Sequence, residues 1–377
     1  MAGLYIHIPF CKSRCVYCGF YSTTLLHLRE RYVNALCREM EMRPCNVDTV
    51  YLGGGTPSLL TARQLERLFI YINKVYGPPH PSQGGAGGGS EVTIECNPDD
   101  VTQEFARTLQ ALPVNRVSLG AQTFSDERLR YLRRRHTADQ VERAVRNLRS
   151  AGIGNISIDL MFGFPGETLE DWRSDVKRAL SLDVEHISAY SLMIEEGTEL
   201  YEKMNAGLLG SEDDELSREM YESLMDQLSL AGYEHYEISN WARPGFRSRH
   251  NSSYWQDIPY VGLGAAAHSY DLRTRSWNAG DVLDYIRKIE QGVLPSEKET
   301  LDDATRYNDL VTTALRTREG IRLERLHEPF CSYLLKNARR SLSRRLLILE
   351  DNRIHLSREG LFVSDDVMSD LIFIKKG

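Results

Sequence analysis

The chain has 377 residues, of which 41% are apolar and 26% charged; this ordinary globular balance excludes wholesale disorder, and the length calls for one large domain plus a smaller appendage. No run approaches the roughly 18 apolar residues of a membrane span, and the first residues lack the basic-then-apolar build of a signal peptide, so an integral membrane protein is not expected. A net charge of -7 argues against nucleic-acid binding, whose affinity comes from basic residues facing phosphates; the basic clusters at 133–135 and 339–345 read as solvated helix faces.

The first predicted element is a strand carrying Leu4, Ile6, Ile8 and Phe10, which ends at Pro9. Directly after it, Cys11, Cys15 and Cys18 stand four and three apart on one short loop. Thiolates are soft ligands for iron–sulfur clusters and zinc, and four would complete either site. No fourth cysteine is near: Cys37 and Cys45 fall on or just after the next helix. Zinc sites or inert thiols remain alternatives, but zinc favours a second C-x-x-C pair far downstream. An iron–sulfur site with one iron left open fits better. The 7 cysteines, odd in number and irregular in spacing, argue against disulfides and for a reducing compartment, the cytoplasm being the expected one.

Residues 26–42 follow as a helix and 49–52 as a short strand that runs into Gly53-Gly54-Gly55-Thr56-Pro57. Thr61 can cap the next helix, whose Leu65, Leu68, Phe69, Ile72 and Val75 keep the spacing of a core-facing stripe. Residues 92–96 (strand), 102–112 (helix), 116–121 (strand), 125–134 and 137–151 (helices), 156–162 (strand), 168–182 (helix) and 186–193 (strand) complete about six β-α units. That alternation implies parallel strands joined by right-handed crossovers. The glycine-rich stretch at 78–90 is a linker by composition and should hang from the face opposite the chemistry. Past an amphipathic helix at 211–231 the rhythm is lost. Residues 236–263 are polar, aromatic and loop-rich and contain His250-Asn251-Ser252-Ser253-Tyr254-Trp255. From about 302 the pattern is helical, with a hairpin across Asp351-Asn352.

Cys11, Gly54, Glu95, Gln122 and Asp159 each fall at or just past a predicted strand end, and in parallel folds chemistry gathers at that rim. Glycines at 53–55 let backbone approach a ligand or simply make a tight turn. The Thr56-Pro57 that follows rules out the dinucleotide fingerprint. A carboxylate at Glu95 could equally be an exposed rim charge.

C-x-x-x-C-x-x-C after Tyr-Ile-His-Ile-Pro-Phe, followed by Gly-Gly-Gly-Thr-Pro, resembles the radical S-adenosylmethionine (SAM) superfamily, in the branch that holds oxygen-independent coproporphyrinogen III oxidase and its haem-chaperone relatives. The resemblance runs from about Tyr5 to the C-terminus. It implies an α/β fold, a partial (β/α)6 barrel with a small C-terminal α/β accessory domain. The division would be a core barrel at 1–235, a connecting region at 236–300 and a C-terminal domain at 301–377. It also implies a [4Fe-4S] cluster on Cys11, Cys15 and Cys18, with SAM chelating the fourth iron. Tyr5, Tyr17, Gly54, Gly55, Thr56, Glu95, Gln122, Arg134 in the helix before 135, and Asp159 match the family's SAM positions. Acidic and amide groups suit the ribose hydroxyls and ammonium, and a guanidinium suits the carboxylate.

Two features separate the branch's members. The oxidase pattern has a further cysteine where this chain has Phe20, and phenylalanine is the chaperone pattern. The H-N-x-x-Y-W stretch matches a signature associated with haem in the chaperones. There, an imidazole from His250 could be an axial ligand, with Tyr254 and Trp255 as a flat wall for the macrocycle. A histidine in such a loop can equally be a structural hydrogen-bonding residue. The resemblance therefore implies a haem chaperone that passes haem to respiratory acceptor proteins, with any membrane contact transient. The rival is a radical SAM enzyme that decarboxylates the propionates of coproporphyrinogen III, not expected with Phe20 in place of a cysteine. A third possibility is a radical SAM enzyme with another substrate.

Overall fold

The computed structural model describes residues 2–79, 89–208 and 213–375. Residues 80–88 of the glycine-rich stretch at 78–90 lie outside the described residues. Six strands alternate with helices as the sequence pattern requires: β1 (Ala2–Ile8), β2 (Val47–Gly54), β3 (Glu91–Cys96), β4 (Arg116–Gln122), β5 (Asn155–Phe162) and β6 (His186–Ser191). They pair in sequence order, every pair parallel. Helices form where apolar residues recur at three- and four-residue spacing and a cap stops the chain. Thr61, for example, closes a reciprocal capping box with Gln64 at the start of Ala62–Tyr76.

Residues past 235 do more than connect. β7 (Glu234–Glu237) and β8 (Asn240–Ala242) join the sheet antiparallel beyond β6. At the other edge, β9 (Tyr260–Leu263) pairs parallel with β1, and β10 (His268–Tyr270), β11 (Thr274–Asn278) and β12 (Ser296–Thr300) extend it antiparallel. One 12-stranded sheet results, with strand order β12-β11-β10-β9-β1-β2-β3-β4-β5-β6-β8-β7. A separate three-stranded sheet contains β13 (Ile321–Arg322), β14 (Leu347–Glu350) and β15 (Arg353–Leu356), and residues 307–371 hold a hydrophobic cluster of their own.

The six parallel strands bury both faces, but not alike. Leu4, Ile6, Val50, Leu52, Val92, Ile94, Val117, Leu119, Ile156 and Ile158 belong to the main core under the helices. The alternate residues, Tyr5, Tyr51, Thr93, Glu95, Ser118 and Asp159 among them, meet one another on the inner face, which is polar from end to end.

Candidate functional site

Three backbone ties hold the cysteine loop: Cys11 N to Thr23 O at 3.0 Å, Val16 N to Leu132 O at 3.4 Å and Leu200 N to Val16 O at 3.0 Å. The three thiols are half-buried. Thr56 Oγ1 lies 3.5 Å from Cys11 Sγ, and Arg134 Nη1 donates to Cys15 Sγ over 3.6 Å. Burial pushes the Cys11 and Cys18 thiols up, and the neighbouring cysteines add to it. Among the described residues, no three His, Cys, Asp or Glu side chains are gathered tightly enough for a single metal ion.

The glycines that end β2 and follow it serve the protein before any ligand. A Cβ on Gly55 would stand 2.7 Å from Ile8 O and 2.8 Å from Phe10 O, and one on Gly54, at φ 107°, would strike the His7 ring. Gly55 N donates to Ile8 O (2.9 Å) and Thr56 N to Phe10 O (2.8 Å), while Gly54 N donates to Glu95 Oε2 (2.9 Å). The approach expected of a ligand is therefore made here by the cysteine loop and His7, which the glycines allow to sit against β2.

Glu95 is reached by Tyr51 Oη at 2.7 Å as well as by Gly54 N; burial outweighs these two donors and raises its carboxyl to about 7. Gln122 ends β4 on a bulge: Gly120 pairs with Asp159 and Gln122 with Leu160, and Gln122 has φ 67°. Its amide and the Arg134 guanidinium both crowd the space beside Gly120. Arg134 lies past the helix Asp126–Tyr131 rather than in it, and donates to Gly120 O (2.6 Å) and to Asn97. Its neighbours are occupied elsewhere, Arg133 with Glu199 and Arg135 with Asp99 and Asp100. Tyr17 lies next to Arg134, Cys15 and Cys18, and burial pushes its phenol up. Tyr5 donates to or accepts from His7 Nδ1 at 2.9 Å. Asp159 departs from the expected rim position. It sits in the middle of β5, inside the barrel, where Ser118 Oγ donates to both carboxylate oxygens at 3.1 and 3.0 Å and burial raises its pKa.

His250 is not in a loop. It is the second residue of the helix Arg249–Trp255 and is fully buried. Glu91, at the start of β3, accepts from His250 N and Arg249 N, both at 2.9 Å. The ring bonds Thr49 Oγ1 through Nδ1 and Tyr254 Oη through Nε2, each at 2.8 Å, and stacks on Tyr51 at 5.1 Å. These partners lie toward the N-terminal ends of the strands, the mouth opposite the cysteines. His250 therefore plugs the barrel floor, and neither ring nitrogen is free for haem iron. Tyr254 and Trp255 of the same motif do line an open cavity of about 640 Å³ beside the cysteine loop, together with Phe20, Tyr21, Tyr260 and Tyr270.

Residues 5–179 match the family profile described as the radical SAM superfamily. Over 98% of its length the chain is 35% identical to the heme chaperone HemW of Lactococcus lactis, 96% of which is covered. It is likewise 35% identical to the heme chaperone HemW of Bacillus subtilis, with 97% and 98% covered. The chain belongs to the HemW family. The solved coproporphyrinogen III oxidase HemN of Escherichia coli, a radical SAM enzyme, superposes with a TM-score of 0.83 at 20% identity, covering 98% of this chain and 90% of that one, a likeness of fold.

As a HemW-family radical SAM protein the chain is expected to carry a [4Fe-4S] cluster and SAM, and the residues fit. Three half-buried thiols share one loop, and the half-buried Arg134 guanidinium stands beside the middle one. Cys11, Cys15 and Cys18 would hold the cluster, which when bound would supply an electron for reduction of the SAM sulfonium. Sequence reasoning missed Tyr51, His7 and Arg116. Arg116 is 1% exposed on the inner face, its Nε has no hydrogen-bonding partner among the described residues, and its charge acts on Glu95, Asp159 and His250. Its signal was the alternation of β4, in which Arg116, Ser118 and Gly120 share one face.

Proposed function

We propose that the protein is a haem chaperone built on a radical SAM scaffold, which holds haem and delivers it to respiratory haem proteins. The observation that carries this reading is the aromatic cavity beside the cysteine loop, with Phe20 on its lip. That phenyl is 74% exposed and stands where the oxidase pattern has its further cysteine. A large exposed apolar ring at a cavity mouth suits a flat apolar ligand. The names of the relatives agree with it. Among the described residues no helix is long and apolar enough to cross a membrane, and we place the work in a reducing compartment, the cytoplasm.

The chain's own residues act in two groups. At the cluster end, Arg134 sets positive charge against Cys15, and Tyr17 covers it from the side. Glu95, Gln122, Asp159 and Tyr5 offer the polar groups for SAM, with Gly54, Gly55 and Thr56 holding the loop in place. At the cavity, Tyr254 is fixed by His250, and Arg316 lies over the Trp255 ring at 5.0 Å. To test the reading, the anaerobically reconstituted protein is titrated with haemin and then mixed with a haem-free acceptor protein. Saturable binding followed by transfer is expected; absence of binding overturns the reading. Coproporphyrinogen III added with SAM should give no protoporphyrinogen IX, and formation at enzymatic rates would favour the oxidase.

A further inference from the structure

The cavity beside the cysteine loop has walls suited to a macrocycle, but the imidazole of H-N-x-x-Y-W is not placed to be its metal ligand. An axial imidazole needs a ring nitrogen with a free lone pair facing the ligand. His250 has neither, since both nitrogens are engaged within a fully buried ring. His7 also lines the cavity, yet its Nδ1 is held by Tyr5 Oη at 2.9 Å and its Nε2 by Tyr21 O at 3.2 Å. His268 differs. It opens β10, is exposed and lines the same cavity, and among the described residues its ring nitrogens have no hydrogen-bonding partner.

The sheet puts His268 there for a structural reason. β10 and β11 pair antiparallel, with His268 opposite Trp277 and Tyr270 opposite Arg275. Tyr270 also pairs with Tyr260 of β9, and Tyr254 packs edge-on against Tyr260 at 4.7 Å. Residues two apart on a strand share a face, so one surface carries the aromatic rings, the imidazole and the Arg275 guanidinium together. Partial burial and Arg275 lower the His268 pKa, which favours the neutral, ligating form at pH 7. Arg275 borders the cavity beside the imidazole, its guanidinium ion-paired with Asp309 at 2.6 Å and Glu299 at 3.4 Å.

We propose that His268 is the axial ligand for haem iron in this cavity, while His250 serves as the floor of the barrel and the anchor of Tyr254. The inference rests on the haem-binding reading above and names the ligand within it. The test is haemin titration of the full-length, cluster-loaded protein, wild type against His268→Ala, His250→Gln and Tyr254→Phe, followed by Soret absorption and electron paramagnetic resonance. His268→Ala should change the spin state and weaken haem at least about tenfold, and added free imidazole should restore the wild-type spectrum. His250→Gln should keep that spectrum. An unchanged spectrum in His268→Ala overturns the proposal, as does loss of the wild-type signal in Tyr254→Phe alone, which would assign ligation to the phenol. If wild type takes up no haemin, the functional reading falls with it; if wild type binds and His268→Ala binds identically, only the ligand assignment falls.

Discussion

Glu95 shows how an acid drawn into the barrel can cost the fold stability. Burial raises its carboxyl from the ordinary 4.5 to about 7 despite two donors. The folded state thus binds more protons than the unfolded chain between pH 4.5 and 7, so this residue's contribution is complete below 4.5 and is lost as pH rises through 7. The loss is at most about 3 kcal/mol. Glu95→Gln should abolish that slope: urea midpoints at pH 5 and pH 8 should differ less in the variant than in wild type, while SAM affinity falls. Arg134 carries a different weight. It is the cation against Cys15, and burial elsewhere raises the Cys11 and Cys18 thiols, so thiolate formation depends on compensating positive charge. Arg134→Ala should keep the fold but reconstitute with less than about half the iron and sulfide of wild type, read by chemical assay.

At the scale of elements, strand ends and the turns after them decide the site. Gly55 is packed against backbone, not against a side chain that could move aside. Gly55→Ala should cost about 1–3 kcal/mol by overpacking and displace the loop at 8–10, so cluster content should drop more than the melting temperature does. The helix Arg249–Trp255 makes a contrasting case. Its His250 holds Thr49 and Tyr254 and stacks on Tyr51. His250→Ala would leave two polar groups unpaired beside a new void, and should lower unfolding free energy by about 3 kcal/mol in a denaturant titration. The i, i+4 spacing of His250 and Tyr254 was present in the sequence. Reading the segment as a loop hid it, because a seven-residue helix with few apolar residues gives little periodic signal.

Across the whole molecule, the C-terminal unit grips the barrel through ion pairs at its rim, Arg275 with Asp309, Arg247 with Glu319, Arg325 with Asp257 and Arg358 with Asp226 among them, and through a more deeply buried one at Arg316. Arg316 donates to the buried Glu237 at 2.9 Å and covers Trp255, while Ile238 N reaches Arg316 O and Arg318 N reaches Tyr236 O. Arg316→Ala would take the cation from Glu237, which is 2% exposed, and leave it the donors Ser239 N and Asn240. A loss of up to about 3 kcal/mol is expected in urea unfolding, with faster haem release from a loosened Trp255.

The sequence alone determined what depends on neighbours along the chain. The cysteine spacing, the six β-α units, the capping box at Thr61 and the turn at Asp351-Asn352 all arise from contacts within a few residues, so their signals are local. Even the polar inner face was written in the alternation of β1 to β5, against the continuous apolar runs usual for parallel strands. Only the tertiary structure decided which face each group meets and what fills the space beside it. It paired β9 with β1, drew His250 into the barrel floor, moved Asp159 from rim to interior, and set His268 on a cavity wall with residues from five separate elements. Such placements follow from contacts between residues hundreds of positions apart, and burial, which depends on the whole fold, then decides whether an imidazole is a ligand or a plug.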